Sequence, residues 1–276
     1  MKPAAFHYHA PRTLPEVLAL LERYPEARPL AGGQSLMPQM NARLVVAPHV
    51  VDLNRVEGLD GIEEDEGSIR IGAMVRQAEL LRSPLLRRHL PVLVEAAGLV
   101  GHIATRNRGT LGGSLCQLDS WAELPLAAML LDAELDLAAS SGTRRLAIRD
   151  FMQGAGRTAL RSGELLTHLR FPIPGAGTRQ AFVEIADRPN DPAEAAAAVS
   201  LVLDAAGEVT AAALAVCGPF PVPMRLSAAE ALLLGRLPDA NAWRLICSIP
   251  LPGAADPDRE AMVRVALRRA LERAAA

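Results

Sequence analysis

The sequence is almost without lysine: Lys2 is the single one, and arginine supplies the other basic residues. No interior ammonium is therefore available for chemistry or for holding an anionic ligand. Cysteine is scarce too. Cys116, Cys217 and Cys247 stand far apart, with no C-x-x-C pair. Metal sites and iron–sulfur clusters need grouped thiolates or imidazoles, so neither is expected on this chain. An odd, scattered count also excludes a disulfide framework. No stretch of about 18 apolar residues free of charge occurs, so no membrane span is expected. The opening MKPAAFHYHAPRTL lacks a long apolar core, which predicts no signal peptide and a cytoplasmic location. The formal net charge of −2 excludes a nucleic-acid binder with a basic face. No Ser-His-Asp constellation is visible, and no side chain stands out as a catalytic acid or base.

Half of the 276 residues are hydrophobic and 22% are charged, the profile of a globular protein of one large or two modest domains. A short strand is predicted at Phe6–His9. A helix follows, with Thr13 as N-cap, Pro15 in its first turn and Leu14, Val17, Leu18 and Leu21 at helical spacing; Pro25 and Pro29 end it. Leu44–Leu53 (LVVAPHVVDL) reads as strand, turn, strand, and Ser68–Ala73 as another strand. Helices fit 75–82, 84–100 and 121–131, and strands fit 134–139, 144–148 and 164–171. The Pro/Gly-dense segment 172–180 (PIPGAGTRQ) marks a domain boundary. Beyond it, AAAAVSLVLD and EVTAAALAVCG form a hairpin around Ala206-Gly207, with helices at 226–235, 239–247 and 257–274. This order lacks a regular βαβα alternation and predicts an α+β class.

Two glycine pairs carry the chemistry. Ala31-Gly32-Gly33-Gln34-Ser35-Leu36 and Thr110-Leu111-Gly112-Gly113-Ser114 each place adjacent glycines beside a small hydroxyl or amide residue. Without Cβ, and with positive φ accessible, successive N–H groups can turn toward one anion. Gln34, Ser35 and Ser114 can add donors. Neither loop is G-x-G-x-x-G or G-x-x-x-x-G-K-[ST], so the Rossmann and P-loop readings fail on spacing. Each is expected to join a strand-like to a helix-like segment. The loops alone name an anion site, not its ligand.

The stretches AGGQSLMPQMNARL, IGAMVRQAELLRSPLL and IATRNRGTLGGSLCQLDSWAELPLAAMLLDAEL, with GELLTHLRFP and PMRLSAAEALLLG further on, resemble the FAD-binding medium subunits of molybdenum hydroxylases. These are the enzymes of carbon monoxide dehydrogenase and xanthine dehydrogenase type. The likeness covers essentially the whole chain. It implies a two-subdomain FAD-binding fold of the PCMH, vanillyl-alcohol-oxidase-like type, with a smaller α+β C-terminal domain. The expected units are 1–55, 56–175 and 176–276. It also implies that Ala31, Gly32, Gly33, Gln34 and Ser35 wrap the pyrophosphate with Leu36 close by. Thr110, Gly112, Gly113 and Ser114 would reach the pyrophosphate, ribityl chain and flavin ring. Glu123 or Asp119 would bind the adenosine ribose. Leu165 or Leu166 would lie near the ring, as would Phe182.

The resemblance is imperfect past the boundary. Such proteins often carry an aromatic followed within two residues by a flavin-contacting lysine. Here Phe182 remains, but Glu184 stands where a cation is expected. A carboxylate there disfavours reduced anionic flavin. In ADRPNDPAEA, Arg188 and Asp191 match while Pro192 is unusual. Arg106 and Arg108 face phosphate or pair with surface acids, and His102 reads as structural. The function implied is electron transfer. FAD accepts electrons from the two [2Fe–2S] clusters of a small partner subunit, fed by a large molybdenum-cofactor subunit, and passes them to an external acceptor. The assembly implied is a heterotrimer, itself dimerised. Oxygen, quinone, ferredoxin and NAD+ stay open as acceptors, and the substrate would bind another chain. The alternatives are a stand-alone FAD oxidoreductase of the same fold and a scaffold that binds FAD weakly.

Overall fold

The structure is a computed structural model that describes residues 2–254 and 256–276. Its first sheet is small and parallel, with strand order His7–His9, His49–Asp52, Arg28–Leu30. The helix Leu14–Arg23 connects the outer two strands. Thr13 and Glu16 form a reciprocal capping box at its start, and Val17, Leu18 and Leu21 are its buried face, as the spacing predicts.

Two departures occur here. Arg28–Leu30 is a strand although Pro29 sits in it; it lies at the sheet edge, where a missing N–H is tolerated. Leu44–Pro48 is not a strand. Arg43 takes a left-handed φ of 59°, and the amides of Leu44 and Val45 return to the Gln39 carbonyl, closing the preceding helix Leu36–Asn41. Only His49–Asp52 remains extended.

The second sheet is antiparallel, ordered Ile62–Asp65, Ser68–Gly72, Leu165–Pro172, Glu134–Ala139, Gly142–Ala147. Its strands alternate. Ile69, Ile71, Leu135, Leu137, Leu169 and Phe171 enter the main core. On the opposite face Arg170 bridges Asp136 and Asp65, and Asp136 also takes Arg145. Ile62–Asp65 is acidic and was not expected as a strand. Glu66 and Gly67, both at positive φ, fold it back onto Ser68–Gly72 as a tight hairpin. Helices Gln77–Arg82, Pro84–His89, Pro91–Leu99, Leu111–Gln117 and Glu123–Leu130 cover the apolar face. The helix expected over 84–100 is two, because Pro91 forces a break at Leu90. All eight residues of Glu123–Leu130 are buried.

The third sheet, Arg179–Ile185, Ala195–Leu203, Val209–Cys217 and Met224–Arg225 in order, contains the expected hairpin, with Gly207 at φ 83°. Both its faces are buried. Phe182, Ala196, Ala198, Ala215 and Cys217 join the main core, while Ala181, Ala195, Ala197, Val199, Leu201, Leu214 and Val216 pack beneath the C-terminal helices, Pro257–Ala275 among them. This two-sided burial is why the strands read as unbroken apolar runs.

Candidate functional site

The two glycine loops lie against each other. A methyl placed on Gly32 would overlap the Arg108 carbonyl, and one placed on Gly113 would reach 3.8 Å from the Ala31 Cβ. Eighty residues of chain thus return to one spot. The loops differ in what they offer. In the first, Gly33 adopts φ 73°, and among the described residues the N–H groups of Gly32, Gly33, Gln34 and Ser35 find no partner. Ser35 opens the helix Leu36–Asn41 but its hydroxyl makes no cap bond, and Gln34 Nε2 donates to the Gly32 carbonyl at 3.2 Å. Four consecutive free amides with a free hydroxyl form a nest suited to a pyrophosphate.

The second loop corrects an expectation. It does not leave a strand: it follows the short helix Ile103–Arg106 and is itself the first turn of Leu111–Gln117. Gly112 and Gly113 are helical, not at positive φ. Their amides are already used. Leu111 N donates to the Val75 carbonyl, Gly112 N to Ala73, Gly113 N to Thr110 Oγ1 and Ser114 N to Thr110. The glycines are needed for closeness instead, since a methyl on Gly112 would come within 2.6 Å of the Ala73 Cβ. Gln77, buried beneath the turn, donates from Nε2 to Ser114 Oγ at 2.9 Å, and its Oε1 is buried without a partner.

Residues not singled out in the sequence tie the loops together. Asn54 Nδ2 donates to the Ala31 carbonyl at 3.0 Å. Arg76 Nη2 donates to Asn54 Oδ1 at 2.5 Å, and Arg76 Nη1 donates to the Arg108 carbonyl. Asn54 follows the strand His49–Asp52, outside every stretch that carries the resemblance; Arg76 precedes the helix Gln77–Arg82 and lies within IGAMVRQAELLRSPLL, but nothing there singles it out.

A second group of acids lies at the seam between the main core and the third sheet. Glu123, only 7% exposed, begins the helix Glu123–Leu130. Burial pushes its pKa up to about 7, and the nearby charges of Glu184 and Asp119 add to the rise. Burial likewise raises Glu184 to about 7. Glu184 and Cys217 sit opposite Ala196 on either side, in one row across three strands. Glu184 therefore carries less negative charge near neutrality than its position in the sequence implies. Asp119 is half-buried and accepts from Gln117 Nε2 at 3.3 Å.

Phe182 is 1% exposed, packed in the main core at the wall of a cleft of about 550 Å³ between Pro91–Leu99 and Arg179–Ile185. Glu184, Arg188 and Arg273 share that wall. Leu165 and Leu166 separate: Leu166 enters the main core, while Leu165 joins the cluster that Ala31 packs against. Arg106 donates to the Val100 and Gly101 carbonyls and toward Asn190, a structural use; Arg108 is exposed beside the first loop. His102 is exposed and makes no cap bond. Burial holds all three cysteines as thiols, Cys116 at about 12.

Residues 4–174 match the family described as the FAD binding domain in molybdopterin dehydrogenase. The chain is 36% identical to the carbon monoxide dehydrogenase medium chain of Afipia carboxidovorans, covering 100% of this chain and 99% of that one. It is 37% identical to caffeine dehydrogenase subunit beta of a Pseudomonas species, over 86% of this chain and 80% of that one. Among solved structures, a chain of reconstituted CO dehydrogenase from Oligotropha carboxidovorans superposes with a TM-score of 0.95 at 36% identity, covering 100% of this chain and 99% of that one. A chain of quinoline 2-oxidoreductase from Pseudomonas putida 86 gives 0.93 at 34%, covering 100% and 98%.

Proposed function

Because the chain belongs to the family of FAD-binding domains of molybdopterin dehydrogenases, we propose that it is the flavin-bearing electron-transfer subunit of a three-component molybdenum hydroxylase. It is an FAD-binding oxidoreductase subunit. The finer reading is that electrons arrive from the [2Fe–2S] clusters of a small partner subunit, fed by a large molybdenum-cofactor subunit, and leave to an external acceptor. The division into units 1–55, 56–175 and 176–276 is supported by the three larger sheets, which fall within 7–52, 62–172 and 179–225.

The nest at Gly32–Ser35 is the observation that carries the site assignment. Free amides and the Ser35 hydroxyl would meet the pyrophosphate. Thr110, Gly112, Gly113 and Ser114 would support the ribityl and ring end by close backbone approach rather than by free N–H groups. Glu123, or Asp119 beside it, would take the ribose, and Leu165 would border the ring. Phe182 would act from beneath the cleft wall, since its side chain is buried. FAD, when bound, supplies the exchange between paired and single electrons. The chain's own residues bind, orient and shield; none is asked to move a proton.

The test is the visible spectrum of the purified chain. Flavin bands, or their gain on adding FAD, are expected; their absence in both cases overturns the assignment. Co-purification with a molybdenum chain and a two-cluster iron–sulfur chain is expected from the native source. A lone homo-oligomer that turns over a small substrate would overturn the electron-transfer reading. Glu184 favours a second reading, weak FAD retention, because its carboxyl occupies the strand position where a cation is expected, with Arg188 and Arg273 elsewhere on the same wall.

A further inference from the structure

We propose that Asn54 and Arg76 form a latch that fixes the distance between the two glycine loops and thereby positions the FAD clamp. The proposal rests on the loops being the FAD site. Its geometry is a continuous chain of hydrogen bonds. The Ala31 carbonyl of the first loop accepts from Asn54 Nδ2, Asn54 Oδ1 accepts from Arg76 Nη2, and Arg76 Nη1 reaches the Arg108 carbonyl at the head of the second.

Each residue type is required. Asn54 must donate at one atom and accept at the other, which a carboxylate cannot do. Arg76 must give two diverging N–H groups in a rigid plane, which an ammonium cannot match. The middle of the chain is itself held. Asp52 Oδ1 accepts from the Asn54 backbone at 2.9 Å, and the Tyr8 hydroxyl donates to Asp52 Oδ2 at 2.5 Å. The bridge is thus anchored on two strands of the first sheet, on Tyr8 in the middle of His7–His9 and on Asp52 at the end of His49–Asp52.

The Arg108 carbonyl receives a double constraint. Arg76 donates to it while Gly32 lies against it with no room for a side chain. Loosening Arg76 frees that carbonyl, and with it the separation of the amide nest from Thr110–Ser114. A cofactor that spans both loops feels this change more than the apolar clusters behind the loops, to which the Asn54 and Arg76 side chains do not belong. Arg76 and Asn54 are positioning residues.

The experiment uses the full chain as Arg76→Met, Arg76→Lys, Asn54→Ala and the double variant Asn54→Ala/Arg76→Met. FAD affinity, the visible band shape of bound flavin, amide exchange at residues 31–35 without FAD, and melting temperature without FAD are read for each. The latch predicts FAD binding weakened about 10-fold or more in every single variant, with the double no weaker than the worse single. It also predicts a less structured flavin band and faster exchange at 31–35, with melting temperature held near wild type. Wild-type affinity in Arg76→Met, or full rescue by Arg76→Lys, would overturn it, the latter by showing that charge alone suffices. Additive losses in the double variant would do the same. Wild-type protein that never takes up FAD would instead overturn the site assignment, and the exchange data would then judge the loop bridge by itself.

Discussion

Glu95 and Arg273 close over the backbone of Phe182 from two elements distant in the chain. Glu95 Oε2 accepts from Phe182 N at 3.0 Å, Arg273 Nη1 donates to the Phe182 carbonyl at 2.7 Å, and the two side chains pair with each other. Arg179–Ile185 is the edge of the third sheet, so this pair stands in for the neighbouring strand it lacks. It also fixes helix Pro91–Leu99 against the sheet, as does Gln180 Oε1, which accepts from Val92 N at 3.3 Å.

Glu95→Ala leaves a buried N–H unmet at Phe182 and is expected to cost about 1–3 kcal/mol in urea unfolding. Arg273→Ala should cost a similar amount, and the double variant less than the two together. Strict additivity would show that the pair does not act as a unit.

The glycines of the two loops should fail differently. Gly33 is at positive φ with side-chain neighbours at 3.3 Å and beyond, so Gly33→Val should abolish FAD binding with a modest loss of stability. Gly112 faces Ala73 at 2.6 Å, so Gly112→Ala should cost about 1–3 kcal/mol of folding stability by overpacking. Gly113, opposite Thr110 Oγ1 at 2.8 Å, also belongs to the stability class. Parallel FAD titrations and melts separate the two effects; an unstrained, FAD-replete Gly33→Val would refute the nest.

Glu123 and Glu184 should make the apo chain pH-sensitive. Their folded pKa values of about 7 lie above the ordinary 4.5, so the folded state holds protons that the unfolded chain has lost. The associated stability is complete below the ordinary value and is lost as pH rises through about 7. Melting temperature should fall between about pH 5 and about pH 8, and Glu123→Gln or Glu184→Gln should flatten the fall. An unchanged slope in both variants would mean that neither carboxyl is desolvated.

Ala198 lies between Phe182 and Ala215 in the register of the third sheet, inside the main core. Ala198→Leu is expected to lose about 1–3 kcal/mol, since the phenyl ring fills the adjacent space. Ser200→Ala, on a less buried position of the same strand, serves as the near-neutral comparison in the same denaturation series.

The sequence was most legible where local chemistry and burial agreed. Thr13 and Glu16 announce a helix that tertiary packing then uses, and Gly207 marks the hairpin turn. The α+β class and both glycine loops were likewise visible. Leu44–Pro48 misled because β-branched residues suggest a strand, yet Leu44 and Val46 are exposed and the backbone serves as a helix stop. The second loop misled because Thr110 caps a helix there, and capping consumes the amides that a glycine pair seems to advertise. The use of Asn54 and Arg76 was invisible, since it depends on loops brought together across the chain.

The third sheet also bears on whether the chain can be divided. Ala193, Ala196, Ala198, Ala215 and Cys217 complete a core whose other buried members lie between residues 69 and 182. A fragment ending at the 172–180 linker would carry helix Glu123–Leu130 with an apolar side stripped bare, and a fragment beginning there would expose a plain of alanines. The linker is a hinge in the sequence but a weld in the folded chain, so protease nicking at 172–180 should leave the halves together until denaturant parts them.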